Sequence, residues 1–104
     1  MEVALRIEGI PSVADATRKP LAFAVIDQGD LVIRSALPST APLNDHLVWL
    51  WGLLQNERRY LKSLLAAGAT ITVHARGVRG SAEVKPNGAE MLHLVGATLR
   101  VECE

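Results

Sequence analysis

The sequence predicts a single α+β domain that spans residues 1–104 and is built around one long helix. Three observations carry this prediction. Residues 42–67 show the apolar spacing of an amphipathic helix, and shorter segments on both sides alternate apolar and polar residues as strands do. A chain of 104 residues is of ordinary size for one domain. Its content of 49% apolar and 21% charged residues is that of a globular protein, which argues against disorder.

The first predicted elements are a strand and a short helix. Residues 3–7 alternate valine, leucine and isoleucine with alanine and arginine, which indicates a half-buried strand. Ser12 is a suitable N-cap and Pro20 is a suitable stop, so a short helix is predicted over residues 12–19.

A hairpin is predicted next. Residues 21–27 and 31–37 are rich in β-forming side chains and are separated by the turn-forming residues Gln28, Gly29 and Asp30. Both faces of the first segment are apolar. We therefore expect this segment to be a central strand of the sheet or to face a partner.

The long helix is predicted over residues 42–67. Pro42 suits the first helical turn, because a backbone N–H at that position would have no intrahelical acceptor. Gly68 suits the residue after the helix, because glycine adopts the left-handed conformation of a C-cap without strain. At about 1.5 Å per residue the helix is roughly 38 Å long, which makes it the spine of the domain.

The segment after the long helix is predicted to contain two strands and a helix. Residues 70–78 alternate apolar with polar side chains, and residues 82–84 form a second, short segment with strand character. Asn87 and Glu90 suit the N-cap and the third position of a helix over residues 88–95.

The chain is predicted to close on a strand. Gly96 ends the preceding helix, and residues 98–102 form the strand, with Leu99, Val101 and Cys103 on its inward face. Cys103 is therefore predicted to be a small apolar core residue. The first six elements match the β-α-β-β-α-β order of a ferredoxin-like unit, and a C-terminal β-α-β follows. The polar strand faces fit a mainly antiparallel sheet with one long helix and two short helices on one face.

The apolar sector of the long helix is wider than one sheet requires. Its leucine and aromatic residues, Trp49 and Tyr60 among them, cover about 200° of the helix surface, whereas packing on a sheet needs a stripe of about 100°. Two interpretations are open. The excess covers a second neighbour in the fold, such as the C-terminal helix, or it forms an exposed patch for another chain.

Glu57 falls inside this apolar sector, where a carboxylate is costly unless it is paired. One interpretation makes it a buried acid or a binding-site carboxylate. The other pairs it with an arginine, such as Arg58 or an arginine from a strand. Trp49, Glu57 and Tyr60 are therefore the candidate binding or interface residues.

No segment of the sequence has the spacing of a catalytic or cofactor site. The histidines, His46, His74 and His93, lie on different predicted elements without metal-ligand spacing. The glycine-rich loop of residues 76–81 lacks the lysine and hydroxyl of a phosphate-binding loop, and no serine lies in a nucleophile elbow. We therefore expect no metal and no cofactor, and we favour a protein without enzymatic activity.

Charge and composition bear on partners and location. Eleven basic residues balance eleven acidic ones, and the predicted outward strand side chains include no aromatic residue, so we expect no nucleic-acid binding. The longest apolar run, residues 47–54, is too short to cross a membrane. The first residues do not resemble a signal peptide, and Cys103 has no second cysteine to pair with, so we expect a reducing, cytoplasmic location.

Residues 43–102 contain three characteristic segments, LNDHLVWLWGLLQNERRYLKSLLAAG, TITVHA and GATLRVE. With the predicted short strand and short helix between the last two, this stretch resembles a bacterial family of small α+β domains that has no assigned function. The resemblance implies the fold and brings no catalytic residue. Some bacterial toxin-immunity proteins are likewise small and non-enzymatic, which makes an immunity-like role an expectation by analogy.

Two functions are open on the sequence alone. The leading hypothesis is a non-catalytic protein–protein interaction or assembly domain, including a homodimer, because the helix and the hairpin both have apolar residues in excess. The alternative is a small-ligand-binding domain or minor enzyme with a pocket between helix and sheet near Trp49, Glu57 and Tyr60. A flat apolar surface with a polar rim favours the first, and a concave pocket with convergent polar groups favours the second.

Overall fold

The computed structural model describes residues 1–9 and 25–103. These residues form five strands, three helices and one 3-10 turn, Gln55–Glu57, which lies between the first two helices. The helix predicted over residues 12–19 and residues 21–24 of the predicted hairpin lie outside the described residues. In chain order the elements are β1 (Glu2–Glu8), β2 (Val25–Asp27), β3 (Asp30–Arg34), α1 (Leu43–Leu54), α2 (Arg58–Ala66), β4 (Thr70–Val78), α3 (Pro86–Val95) and β5 (Ala97–Cys103).

The five strands form one sheet in the order β2-β3-β1-β4-β5. Neighbouring strands are antiparallel except β4 and β5, which run parallel and are joined through α3, since parallel neighbours need a crossover connection. The predicted α+β class with a mainly antiparallel sheet is confirmed. The hairpin is also present, but β2 lies at an edge of the sheet, so the expectation of a central strand is wrong for its described residues.

One face of the sheet carries the core. Leu5 of β1 lies opposite Ile33 of β3 and Val73 of β4, and all three side chains are at most 2% exposed. The helices bury apolar side chains against this face, and α1 also packs against α3. The second neighbour expected for the wide apolar sector is therefore α3. The apolar helix residues that are at most 1% exposed are Leu47, Leu50, Leu54, Leu61, Met91 and Val95.

A 3-10 turn interrupts the helix predicted over residues 42–67. In an unbroken helix Glu57 would share one face with Leu54 and Leu61, because residues three and four apart are neighbours on the surface. The chain instead forms a turn of about three residues, and Glu57 has φ −112° and ψ 15°, outside helical values. Leu54 and Leu61 stay in the core, whereas Glu57 lies half-buried at its margin.

Two predictions around α3 are wrong. Residues 82–84 do not form a strand. The helix begins earlier than expected, with Lys85 as its N-cap and Pro86 at its first position, where proline needs no hydrogen-bond acceptor. Asn87 is therefore inside the first turn and is not the N-cap. The predicted end of the helix is confirmed, because Gly96 has φ 70° and forms the left-handed C-cap.

The end of β5 also differs from the prediction. Cys103 is exposed and Val101 is 42% exposed, so the expectation of an inward-facing, buried Cys103 is wrong. Among the described strands β5 is the last of the sheet and has β4 as its one neighbour. Leu99 is half-buried against the core, whereas the described residues that follow it in β5 are all exposed. Strand alternation places Val101 on the inner face, but at 42% exposure the described part of the chain does not bury it.

Candidate functional site

The outer side of α1 carries a shallow apolar surface. Leu37, Val48 and Trp49 line a depression of about 420 Å³, and we call these three residues the Trp49 patch. Val48 is 40% exposed, while Trp49 is half-buried and also packs against the core. Polar side chains surround the patch: Asn44, Asp45, Lys85 and Asn87.

The apolar surface continues from α1 towards α3. Val48 also lines a second depression, of about 270 Å³, together with Trp51 and Leu94. Both of these residues are half-buried. Val48 is thus an exposed apolar residue that the two adjoining depressions share.

A buried amide fixes α3 beside the patch. Asn44 is 5% exposed, its Oδ1 accepts a hydrogen bond from the Lys85 backbone N–H at 2.9 Å, and its Nδ2 donates to Asn87 Oδ1 at 2.9 Å. Asn87 Oδ1 also accepts from the backbone N–H of Gly88 at 2.9 Å. Because a buried amide is costly unless it is hydrogen-bonded, these contacts hold the start of α3 on the first turn of α1.

Sequence reasoning missed Asn44. It assigned Asn87 to helix capping, whereas the structure shows Asn87 connecting two helices through Asn44. Its position in the sequence indicates that Asn44 is buried, because it lies three residues before Leu47 and therefore on the apolar side of the helix. A polar residue at that position needs a partner, by the argument that singled out Glu57.

The structure does not bring the three candidate residues into one site. The depression at Trp49 includes neither Glu57 nor Tyr60. Tyr60 is half-buried in the first turn of α2 and packs against the core. Within the described part of the chain the Glu57 carboxylate forms no hydrogen bond or ion pair, so the arginine partner expected for it is not present there.

The three histidines lie in three different environments. His46 is 1% exposed in α1, His74 lies on the outer face of β4, and His93 is exposed on α3. Across residues 1–9 and 25–103 no three histidine, cysteine, aspartate or glutamate side chains are grouped so that they could hold a metal ion.

Arg6 joins the outer face of the sheet to the hairpin. Its Nε donates to Asp30 Oδ2 at 3.0 Å, and its Nη2 donates to the Asp27 backbone oxygen at 3.2 Å. The hydrogen bond with Asp30 is the main cause that raises the pKa of Arg6, so the guanidinium stays charged. A groove of about 260 Å³ crosses this face beside Arg34 and His74. Its mixed charges are typical of a solvated sheet face.

The glycine-rich loop borders a wide cleft. The cleft has a volume of about 800 Å³ and lies between the end of β4 and the segment before α1. Arg76 and Arg79 line it together with Glu2, so both signs of charge are present. Gly77 has φ 71° and lies where the pairing of β4 with β5 shifts register, so this glycine forms an irregularity in the strand.

Comparisons of the chain with protein-family models, curated proteins and solved structures find no match. None of the helices within residues 1–9 and 25–103 is both long and apolar enough to cross a membrane.

Proposed function

We propose that this domain acts by binding other protein chains and performs no chemistry of its own. The Trp49 patch is the observation that supports this function, because a shallow apolar surface with Asp45 and Lys85 at its rim has the anatomy of a protein interface. Tryptophan is also enriched among the residues that dominate the binding energy of such interfaces.

A small-ligand site between the long helix and the sheet has less support. Leu54 and Leu61 lie in that space and are at most 1% exposed. The depression at Trp49 lies on the outer side of α1, away from the sheet. Ligand sites are concave and enclose most of the ligand, which a shallow surface does not do.

The strand directions support the ferredoxin-like start that the sequence predicts. β1 is antiparallel to β3, and β3 is antiparallel to β2, so β1 and β2 run the same way with β3 between them. This split pair of parallel strands is typical of a β-α-β-β-α-β unit. The resemblance to a bacterial family, a cytoplasmic location and an immunity-like role rest on sequence and belong to the same proposal.

Capture of partner proteins from a lysate by the immobilised chain tests the proposed function. Val48→Arg places a charge in the middle of the apolar surface, and partners bound there should be lost because an unpaired charge at an interface is costly. Val48 is 40% exposed, so the fold should tolerate the change. Lys62→Ala, at an exposed position of α2, is the matched control and should retain the same partners.

Equal capture by the Val48→Arg and unmodified chains would contradict the role of the Trp49 patch. Failure of the unmodified chain to bind any protein, including itself, would contradict the proposed function as a whole.

A further inference from the structure

β5 offers a backbone edge for another strand. It is seven residues long and lies at the end of the sheet, with β4 as its one neighbour in the described part of the chain. An edge strand presents unpaired N–H and C=O groups, which a further strand can pair with. Val101 is 42% exposed on the helix side of this edge, so pairing there would also bury an apolar side chain.

The outer face of β5 carries two charges of opposite sign. Glu102 Oε2 lies 3.7 Å from Nε of Arg76 in β4. Both side chains are more than half exposed, so this ion pair is weak. Arg100 is exposed, lies opposite His74 of β4, and has no carboxylate partner among residues 1–9 and 25–103. Within the described residues, the edge therefore presents a cation without a carboxylate partner two residues from a weakly held anion.

These charges select one register for pairing between two copies. Two identical strands that pair antiparallel around a two-fold axis are centred on one residue, because facing side chains must lie on the same side of the sheet. A centre at Arg100 places arginine opposite arginine, and a centre at Glu102 places glutamate opposite glutamate. A centre at Val101 places Arg100 of each copy opposite Glu102 of the other. Opposite charges across a strand pair stabilise it, whereas like charges destabilise it.

We propose that β5 pairs antiparallel with β5 of a second copy of this chain, with Val101 on the two-fold axis. The pairing joins the two five-stranded sheets into one continuous sheet. It brings the two Val101 side chains together on the helix side and forms two Arg100–Glu102 ion pairs on the other face. This inference rests on the proposed function, since it names one partner of an association domain.

Charge reversal tests both the interface and its register. Arg100→Glu places glutamate opposite glutamate, and Glu102→Arg places arginine opposite arginine. Either variant alone should self-associate about tenfold more weakly than the unmodified chain, measured by light scattering over a range of concentrations. Mixing the two variants restores opposite charges at both positions and should regain a dimer containing one copy of each. Lys62→Glu, on the exposed side of α2, is the control and should leave the dimer unchanged.

Cross-linking tests the position of the axis. Val101→Cys combined with Cys103→Ser should form a disulfide between two chains under mild oxidation, because residues facing each other across a strand pair have the Cα separation that a disulfide needs. Thr98→Cys combined with Cys103→Ser is the control. In the proposed register the two Thr98 positions lie roughly 20 Å apart and should not cross-link.

The outcomes separate this interface from the wider proposal. A constant monomer mass at all concentrations would overturn the β5 dimer and leave partner capture through the Trp49 patch intact. A dimer that survives Arg100→Glu and dissociates with Val48→Arg would place self-association on α1, which also overturns the β5 interface. The chain could also stay monomeric and bind a different protein through β5. That result would overturn the proposal that a second copy of this chain occupies the edge.

Discussion

At the scale of single residues, three leucines on the inner side of the helices should dominate stability. Leu50, Leu54 and Leu61 are at most 1% exposed. Each Leu→Ala substitution should lower the free energy of unfolding by about 2–5 kcal/mol, because it removes buried apolar surface and leaves a cavity. Val48→Ala is the matched control. Val48 is 40% exposed, and its truncation should change stability by about 0.5 kcal/mol or less.

Urea unfolding of the four variants measures these changes. If all three leucine variants unfold like the unmodified chain, the helices are rotated relative to the sheet from the arrangement described above.

His46 is the buried residue with titratable chemistry. It is 1% exposed, and its Nδ1 forms a 2.6 Å hydrogen bond with Ser35 Oγ. Its Nε2 is buried without a hydrogen-bond partner in the described part of the structure. Burial is the main cause that lowers the pKa of His46, while a backbone hydrogen bond with Ala41 and the charge of Asp45 act in the opposite direction. The neutral imidazole is therefore the form that the folded chain prefers, because burial disfavours the charged form.

The pH dependence of stability should report this burial. The pKa of His46 is lower in the folded chain than in the unfolded chain, where it is about 6.5, so acid favours unfolding. The stabilisation is fully present above pH about 6.5 and is lost as the pH falls through the folded pKa, by up to about 1.4 kcal/mol per pH unit.

Denaturant unfolding at pH 7.5 and at pH 5.5 measures the effect. His46→Gln should reduce the difference in stability between the two pH values. His93→Gln, at an exposed position of α3, should leave that difference unchanged. An equal pH dependence in the unmodified and His46→Gln chains would show that His46 protonates as easily in the folded chain as in the unfolded one.

At the scale of elements, two glycines within helices should respond to alanine in opposite ways. A Cβ on Gly88 of α3 would overlap with Asn44 Oδ1 and lie 3.1 Å from Leu47 Cδ1. A Cβ on Gly52 of α1 would have no heavy atom within 4 Å. Gly88→Ala should destabilise the fold by about 1–3 kcal/mol, because α3 would have to move away from Asn44. Gly52→Ala should stabilise it by about 0.5–1 kcal/mol, because alanine is the better helix former.

Thermal or urea unfolding of the two glycine variants is a direct comparison. If both substitutions stabilise the chain by the same amount, helix propensity alone governs these positions. The contact with Asn44 would then not restrict the side chain at position 88.

At the scale of the whole molecule, charge should keep the chain from binding nucleic acids. Eleven basic residues are balanced by eleven acidic ones. Affinity for the phosphate backbone depends on clustered cations, and two arginines of the described residues are paired with carboxylates, Arg6 with Asp30 and Arg76 with Glu102. We expect no binding of single- or double-stranded DNA or RNA at physiological salt, measured by fluorescence anisotropy. Salt-sensitive binding would reveal a basic surface that the net charge conceals.

The sequence by itself determined the local elements. Alternating apolar residues predicted β1 and β4, and a helical period with glycine at the end predicted the long helix to within a few residues. Leu50, Leu54 and Leu61, which the helical period places in the apolar sector, lie in the core, and Gly96 forms the predicted C-cap. These predictions succeed because period and capping depend on residues that are close together in the chain.

The tertiary structure alone decided which surfaces are covered. Val101 and Cys103 have the alternation of core residues, but they are exposed near the end of β5, the outermost strand of the sheet that the described residues form. Glu57 has the position of a core residue, but a 3-10 turn places it at the margin. Asn44 is buried because α3 lies against it. The exposure of Val101, Cys103 and Asn44 depends on which elements distant in sequence pack beside them, and local patterns do not encode that choice.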